Sequence, residues 1–363
     1  MWSKFTQTKF YKLAAEHWYT TAFLFGFITD FLLLNQIDNL FDNLILLWYV
    51  TLSTGSLIVL YAAWVEKFPL SLSRFLVKLA PVGVQYATGG LLSGMLIFYG
   101  RSGNLLVSWP FIAVIIIAII GNERVKNRVE QLTFTLATYF FGLFAYLVLV
   151  LPVLTGRGDE LVFYGAGILA LGTVSALIII LRHLIDDRFK INWYLLWLVI
   201  GGLYAVINLF YILRLLPPIP MSLQEVVIAN SVTYQKSAGQ YQITATPVSW
   251  WDLGQQWNQD FHPTKNGSVS CYTKVFAPGR LKTSVVHVWE YRNTAGKWQE
   301  YFRLAYPIVG NTTTGYRGYS TITNYHDGVW RCRIENEHGA VLGQQTFTID
   351  TSTLPVSAIT YTD

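Results

Sequence analysis

The chain has 363 residues, of which 53% are hydrophobic and only 13% charged, and its mean hydropathy is +0.38. An ordinary soluble domain carries roughly 25% charged residues, so the composition excludes a wholly water-facing globule and points to lipid. The net charge of +5 does not mark a nucleic-acid binder, because the basic residues sit in short clusters between apolar runs and form no stripe or tail.

The first residues, to about His17, are polar, and no Ala-x-Ala-like cleavage site follows the first apolar run. The N-terminus is therefore expected to be retained. Crossing a bilayer takes about 20 mostly apolar residues at about 1.5 Å each. Seven segments qualify: about 18 to 36, 42 to 64, 79 to 99, 104 to 121, 132 to 152, 161 to 181 and 193 to 215. An all-α bundle of about seven transmembrane helices is expected over residues 1–216. The fourth segment, NLLVSWPFIAVIIIAIIG, is the clearest. The third is the least regular, with Pro81, Gln85 and the pair Gly89 and Gly90. Gly90 and Gly94 form a small-xxx-small pattern of the kind that lets helices approach closely.

Lysine and arginine set the expected orientation. Lys4, Lys9 and Lys12 precede the first span. Lys67, Arg74 and Lys78 follow the second, Arg124, Lys126 and Arg128 the fourth, and Arg182, Arg188 and Lys190 the sixth. The alternate loops hold only Arg101 and Arg157, with Arg214 at the end of the seventh span. The N-terminus is thus expected in the cytoplasm and the C-terminal residues outside it, which requires an odd number of spans. Trp18, Tyr19, Trp64, Trp193 and Tyr211 at span ends fit interfacial anchors, in contact with membrane lipid. Asp30, in GFITDFLLLN, is ionisable inside the first span. Such residues mark an ion path or a polar partner. Gln85 and Asn208 are the candidate hydrogen-bonding partners within the helices.

Pro217-Pro218-Ile219-Pro220 ends the last helix, since proline lacks the backbone N–H and clashes with the preceding turn. Beyond it come short runs rich in β-branched and aromatic residues, broken by turn formers. They predict strands near 225 to 234, 240 to 247, 268 to 277, 283 to 292, 298 to 306, 316 to 323, 328 to 335 and 340 to 349. That spacing argues for an all-β sandwich, with 217–262 as a membrane-proximal linker and first strands and 263–363 as the sandwich proper. Alternation along SVSCYTKV and GVWRCRIEN turns both Cys271 and Cys332 inward and sets Arg331 and Arg333 on the opposite face. The order Cys271, Trp289, Asp327-Gly-Val-Trp-Arg-Cys332 resembles the immunoglobulin pattern. It differs in having Trp330 at the corner-tyrosine place and one residue fewer after Asp327. In an oxidising compartment the two cysteines can close a loop of about 60 residues, stabilising the domain by roughly 4 kcal/mol; the alternative is two reduced, buried thiols. His262, His287, His326 and His338 are scattered without ligand spacing, so no metal site is expected.

The stretches CYTKVFAPGRLKTSVVHVWEY, GYRGYS and GVWRCRIENEHGAVLGQQTF resemble the bacterial domain of unknown function 2914, which follows multi-span membrane regions. The matching features are Cys271, Ala277-Pro278-Gly279, His287-x-Trp289, Arg317-x-Tyr319-Ser320, Gly328-x-Trp330 and Leu342-Gly343, over roughly residues 268 to 349. The resemblance implies a bacterial inner (plasma) membrane with the C-terminal domain periplasmic or extracellular. It implies no reaction.

His287, Trp289 and Tyr291 share one strand face, and Arg317 and Tyr319 share a face of another. Were those faces to adjoin, they would form an aromatic patch with a cationic donor, able to stack on a sugar or grip an anionic group; the alternative is core packing. No nucleophile elbow, paired-carboxylate motif or cofactor motif stands out. The leading expectation is a non-enzymatic envelope anchor or scaffold whose β domain binds a partner protein or glycan. The alternative is a transporter or ion-coupled permease using Asp30, with the β domain as accessory, and an enzyme ranks third.

Overall fold

The structure, a computed structural model, describes residues 18–34, 39–102, 105–124, 131–185, 192–217, 220–237, 239–246, 259–263, 267–278, 281–308, 315–352 and 358–363. Lys4, Lys9, Lys12, Lys126, Arg128, Arg188, Lys190, Pro218, Ile219 and Gly279 lie outside the described residues. The chain divides into two compact units; among the described residues the first holds nearly all of seven helices and the second holds eleven strands.

The helices are α1 (Trp18–Leu33), α2 (Leu40–Trp64), α3 (Leu70–Arg101), α4 (Leu105–Arg124), α5 (Leu132–Thr155), α6 (Glu160–Leu184) and α7 (Trp193–Ile212). Among the described residues, six of them, α2 to α7, are long and apolar enough to cross a membrane; α1 has 16 residues. Their starts follow from capping chemistry. Asn39 accepts the Phe41 N–H at 2.9 Å, Asp159 that of Val162 at 3.2 Å, and Asn192 that of Leu195 at 3.0 Å. The third helix begins at Leu70, well before the expected 79, so Arg74 and Lys78 lie on its first turns and not in a loop. Nothing between Leu70 and Pro81 breaks a helix, and Pro81 itself is carried inside it. α5 is apolar on every side and buried along nearly all its length, the pattern of a helix enclosed by others. The other helices bury one stripe and leave Leu, Ile and Phe side chains exposed, as helices facing lipid do.

The glycines of α3 explain its fit to α2. A Cβ at Gly90 would come within 2.6 Å of the Tyr49 ring, one at Gly94 within 2.6 Å of Leu46 Cδ2, and one at Gly83 within 2.5 Å of Ser56 Oγ. The expected close approach at Gly90 and Gly94 is present, and its partner is α2.

The strands are β1 (Ser222–Ala229), β2 (Ser231–Gln235), β3 (Gln240–Ala245), β4 (Gln259–Phe261), β5 (Val269–Phe276), β6 (Thr283–Arg292), β7 (Trp298–Ile308), β8 (Tyr316–Ile322), β9 (Gly328–Asn336), β10 (Val341–Ile349) and β11 (Ile359–Thr362). They form sheets ordered β1-β5-β8, β4-β10-β9-β6-β7 and β11-β3-β2. All pairings are antiparallel except that of β4 with β10. Ile228, Cys271 and Ile322 from the first sheet share one core with Trp289, Cys332 and Phe347 from the second. A smaller core, with Val232, Ile243 and Tyr272, joins the first sheet to the third. Cys271 on β5 and Cys332 on β9 are disulfide-bonded, 61 residues apart, and so link the first two sheets. Within the β unit β1, from the expected 217–262 segment, pairs along its length with β5 of the expected 263–363 segment.

Candidate functional site

Inside the larger core His287 and Trp289, two residues apart on β6, point the same way and are fully buried. Both meet Ser320 of β8. The Trp289 Nε1–H donates to Ser320 Oγ at 2.8 Å, and that oxygen lies 2.9 Å from His287 Nδ1. On the far side His287 Nε2 lies 2.8 Å from Thr273 Oγ1, which also contacts the Tyr306 hydroxyl at 2.8 Å and the Gly318 carbonyl at 3.4 Å. Placing one hydrogen on each contact assigns the tautomer. Ser320 accepts from Trp289 and donates to Nδ1. Nε2–H and Tyr306 donate to Thr273, which donates to Gly318. Every polar atom is satisfied with a neutral imidazole. Burial pushes the His287 pKa down to about 3, as desolvation does for a cation.

Ser320 beside His287 has the outline of a nucleophile and base, but the chemistry does not follow. Among the described residues no carboxylate orients the ring, Ser320 is buried, and an imidazole with so low a pKa is a poor base near neutral pH. Cys271, His287 and Cys332 place donor atoms within 4.8 Å of one another. The sulfurs are joined as a disulfide and both imidazole nitrogens are engaged, so this trio does not fit a metal.

Arg317 and Tyr319 belong to the opposite face of β8. Burial alternates along that strand, with Tyr316, Gly318, Ser320 and Ile322 turned inward. The two candidate pairs therefore do not adjoin, and the single patch expected from the sequence is not formed. Arg317 pairs with Asp363 at 3.1 Å, alongside Lys274 at 3.0 Å and the Tyr272 hydroxyl. Burial opposes ionisation of Asp363, yet the bonds from Tyr272 and Lys274 and the charge of Arg317 hold its carboxyl below the usual range. Tyr319 is partly exposed and meets Tyr241 edge-on at 6.1 Å.

The outer face of the five-stranded sheet carries a ladder of ions. Glu290 accepts from Arg331 and lies 3.5 Å from Arg333; Glu335 binds Arg333 at 2.8 Å and Arg303 at 3.0 Å. Arg331 also covers the Trp298 ring at 4.2 Å. By contrast β7, the end strand of that sheet, leaves Tyr301, Phe302 and Leu304 between 37% and 40% exposed.

Among the helices Asp30 is buried. It accepts from the Tyr49 hydroxyl of α2 at 2.9 Å and contacts Ser93 Oγ of α3. Neither Gln85 nor Asn208 is its partner. Gln85 donates to Glu123 at 3.0 Å, and Asn208 donates to the Tyr204 carbonyl of its own helix at 2.7 Å. Tyr49 and Ser93 were not visible as partners in the sequence, although Ser93 sits beside the Gly90 and Gly94 pair.

Several pattern residues now have a physical reason. His287-x-Trp289 and Arg317-x-Tyr319-Ser320 meet at Ser320. Gly328 has φ +133°, which glycine alone adopts readily, and a Cβ at Gly343 would strike Leu223 at 2.3 Å. These are features of a β module built around a buried polar centre and bearing an inter-sheet disulfide. Residues 282–349 match the family model described as "Protein of unknown function (DUF2914)". No curated protein matches the chain. Among solved structures, Pseudomonas fluorescens alkylpurine DNA glycosylase AlkC bound to DNA containing an abasic site analog is similar at 12% identity, over 82% of this chain and 78% of that one. The TM-score is 0.23, too low for any argument about this chain.

Proposed function

We propose that this protein is a non-enzymatic envelope anchor, with seven spans, a cytoplasmic N-terminus and an immunoglobulin-like β sandwich outside the cytoplasm that binds a partner protein or glycan. The observation that carries this is the contrast within the β unit. Its reactive groups are spent internally: His287 on two hydroxyls, Cys271 and Cys332 on each other, and Glu290 and Glu335 on arginines. Of its large exposed side chains, three, Tyr301, Phe302 and Leu304, lie together on the end strand β7, where surface for recognition is available. The basic clusters around the cytoplasmic loops support the orientation.

The test is co-purification from native membranes in mild detergent, comparing the full chain with the double variant Phe302→Ser, Leu304→Ser. Both positions are already wetted, so the fold should survive. A bound component should fall by about tenfold, equivalent to roughly 1.4 kcal/mol. An unchanged set of bound components would contradict the reading. The second reading, an ion-coupled permease, draws on the burial of Asp30. A phenotype lost in Asp30→Asn and kept in the double variant would favour it.

A further inference from the structure

We infer that the carboxyl group of Asp30 is a proton-binding site between α1, α2 and α3, holding its proton on the oxygen that faces Ser93. The hydrogens available to the three side chains place it there. Ser93 Oγ contacts two oxygens, Asp30 Oδ2 and the Gly90 carbonyl, the latter at 2.9 Å. A hydroxyl has one hydrogen. The Gly90 carbonyl has none to give, and the Tyr49 hydroxyl is spent on the other Asp30 oxygen, Oδ1, at 2.9 Å. Three oxygen–oxygen contacts are made and two hydroxyl hydrogens are present. The third hydrogen belongs to Asp30. The chain then reads Tyr49 O–H to Oδ1, Oδ2–H to Ser93, and Ser93 O–H to Gly90, with every contact carrying one hydrogen.

The surroundings agree with a neutral acid. Among the described residues Asp30 forms no ion pair, and the groups bonded to it are the two hydroxyls. An ionised carboxylate there would have two hydroxyl donors but no cation among the described residues to offset its burial. Tyr86 of α3 packs edge-on against Tyr49 at 5.8 Å and its hydroxyl interacts with that of Tyr49; giving its own hydrogen to the Tyr49 oxygen, it leaves the count at Asp30 unchanged and adds no charge. Arg101, the cation on α3 that reaches α1, donates to the carbonyls of Leu34 at 2.7 Å and Phe31 at 3.3 Å. Oxygens in direct hydrogen-bond contact leave no room for a metal cation, so the bound positive centre is a proton. Because the docked arrangement of α1 holds that proton, raising the pH opposes docking. This site stands independently of partner binding by the β unit.

The test is infrared spectroscopy of the full chain in lipid nanodiscs at neutral pH. The wild-type minus Asp30→Asn difference should show the C=O stretch of a protonated carboxylic acid. Carboxylate stretches in its place would overturn the proposal. Should Asp30→Asn fail to fold, Tyr49→Phe answers the same question with Asp30 intact. Removing the hydrogen bond to Oδ1 should move the acid C=O band to higher frequency, whereas an acid region unaltered by Tyr49→Phe would sink the assignment.

Discussion

Ser320 stands between His287 and Trp289, and truncating it should be costly although it is small. Ser320→Ala leaves the Trp289 N–H and His287 Nδ1 without partners inside a closed core. Each such group costs about 1–3 kcal/mol, so a loss of that order is expected in a fluorescence-monitored melt. His287 also sets a pH dependence. Its folded pKa lies below the unfolded value, so between about pH 6.5 and 3 the unfolded chain binds a proton that the folded one does not. Stability is therefore retained at neutral pH and falls as pH drops through that window, at up to about 1.4 kcal/mol per pH unit. The slope difference between wild type and His287→Gln, measured by melting across pH, should isolate this contribution; equal slopes would refute it. Alternation along the strand was enough to place His287, Trp289 and Tyr291 on one face. Ser320 and Thr273 were not legible as their partners, because register between sheets is set by packing across the core and not by local spacing.

At the scale of elements, long apolar runs were read well and short pieces poorly. All seven helices were expected, yet α3 starts nine residues early because charges on its first turns look like loop in a hydropathy reading. The strand expected over 225 to 234 is two, β1 and β2, divided at Asn230, whose N–H turns to the Thr244 carbonyl at 2.8 Å. β4 and β11, with three and four residues, are too short to carry a periodicity. The sequence pattern at Gly90 and Gly94 did identify a helix contact. Gly90→Ala drives a methyl into the Tyr49 ring, whose hydroxyl holds Asp30. Overpacking of this kind costs about 1–3 kcal/mol, and the variant should melt earlier than wild type while Gly100→Ala, in open space, should not.

The whole molecule joins two kinds of surface in one chain: helices apolar enough for lipid, and a β unit whose inter-sheet link suits an oxidising compartment. Closing a loop of 61 residues stabilises such a unit by roughly 4 kcal/mol. Reduction of the purified protein should therefore lower the β unit's melting point, leaving the helical signal largely in place. The long apolar runs made the helical unit legible, whereas the exposed surface of the β unit was not. The candidates His287 and Trp289 are aromatic for reasons of packing, and exposure of Phe302 and Leu304 depends on where neighbouring strands end.

Because Cys271 and Cys332 are the chain's only two cysteines, their redox state in intact cells reports directly on where the β unit resides. Thiols would be trapped in acid and alkylated with a mass-tagged maleimide before and after reduction. No adduct is expected before reduction and two after it. Two adducts without reduction would place the β unit in a reducing compartment and rule out its position outside the cytoplasm.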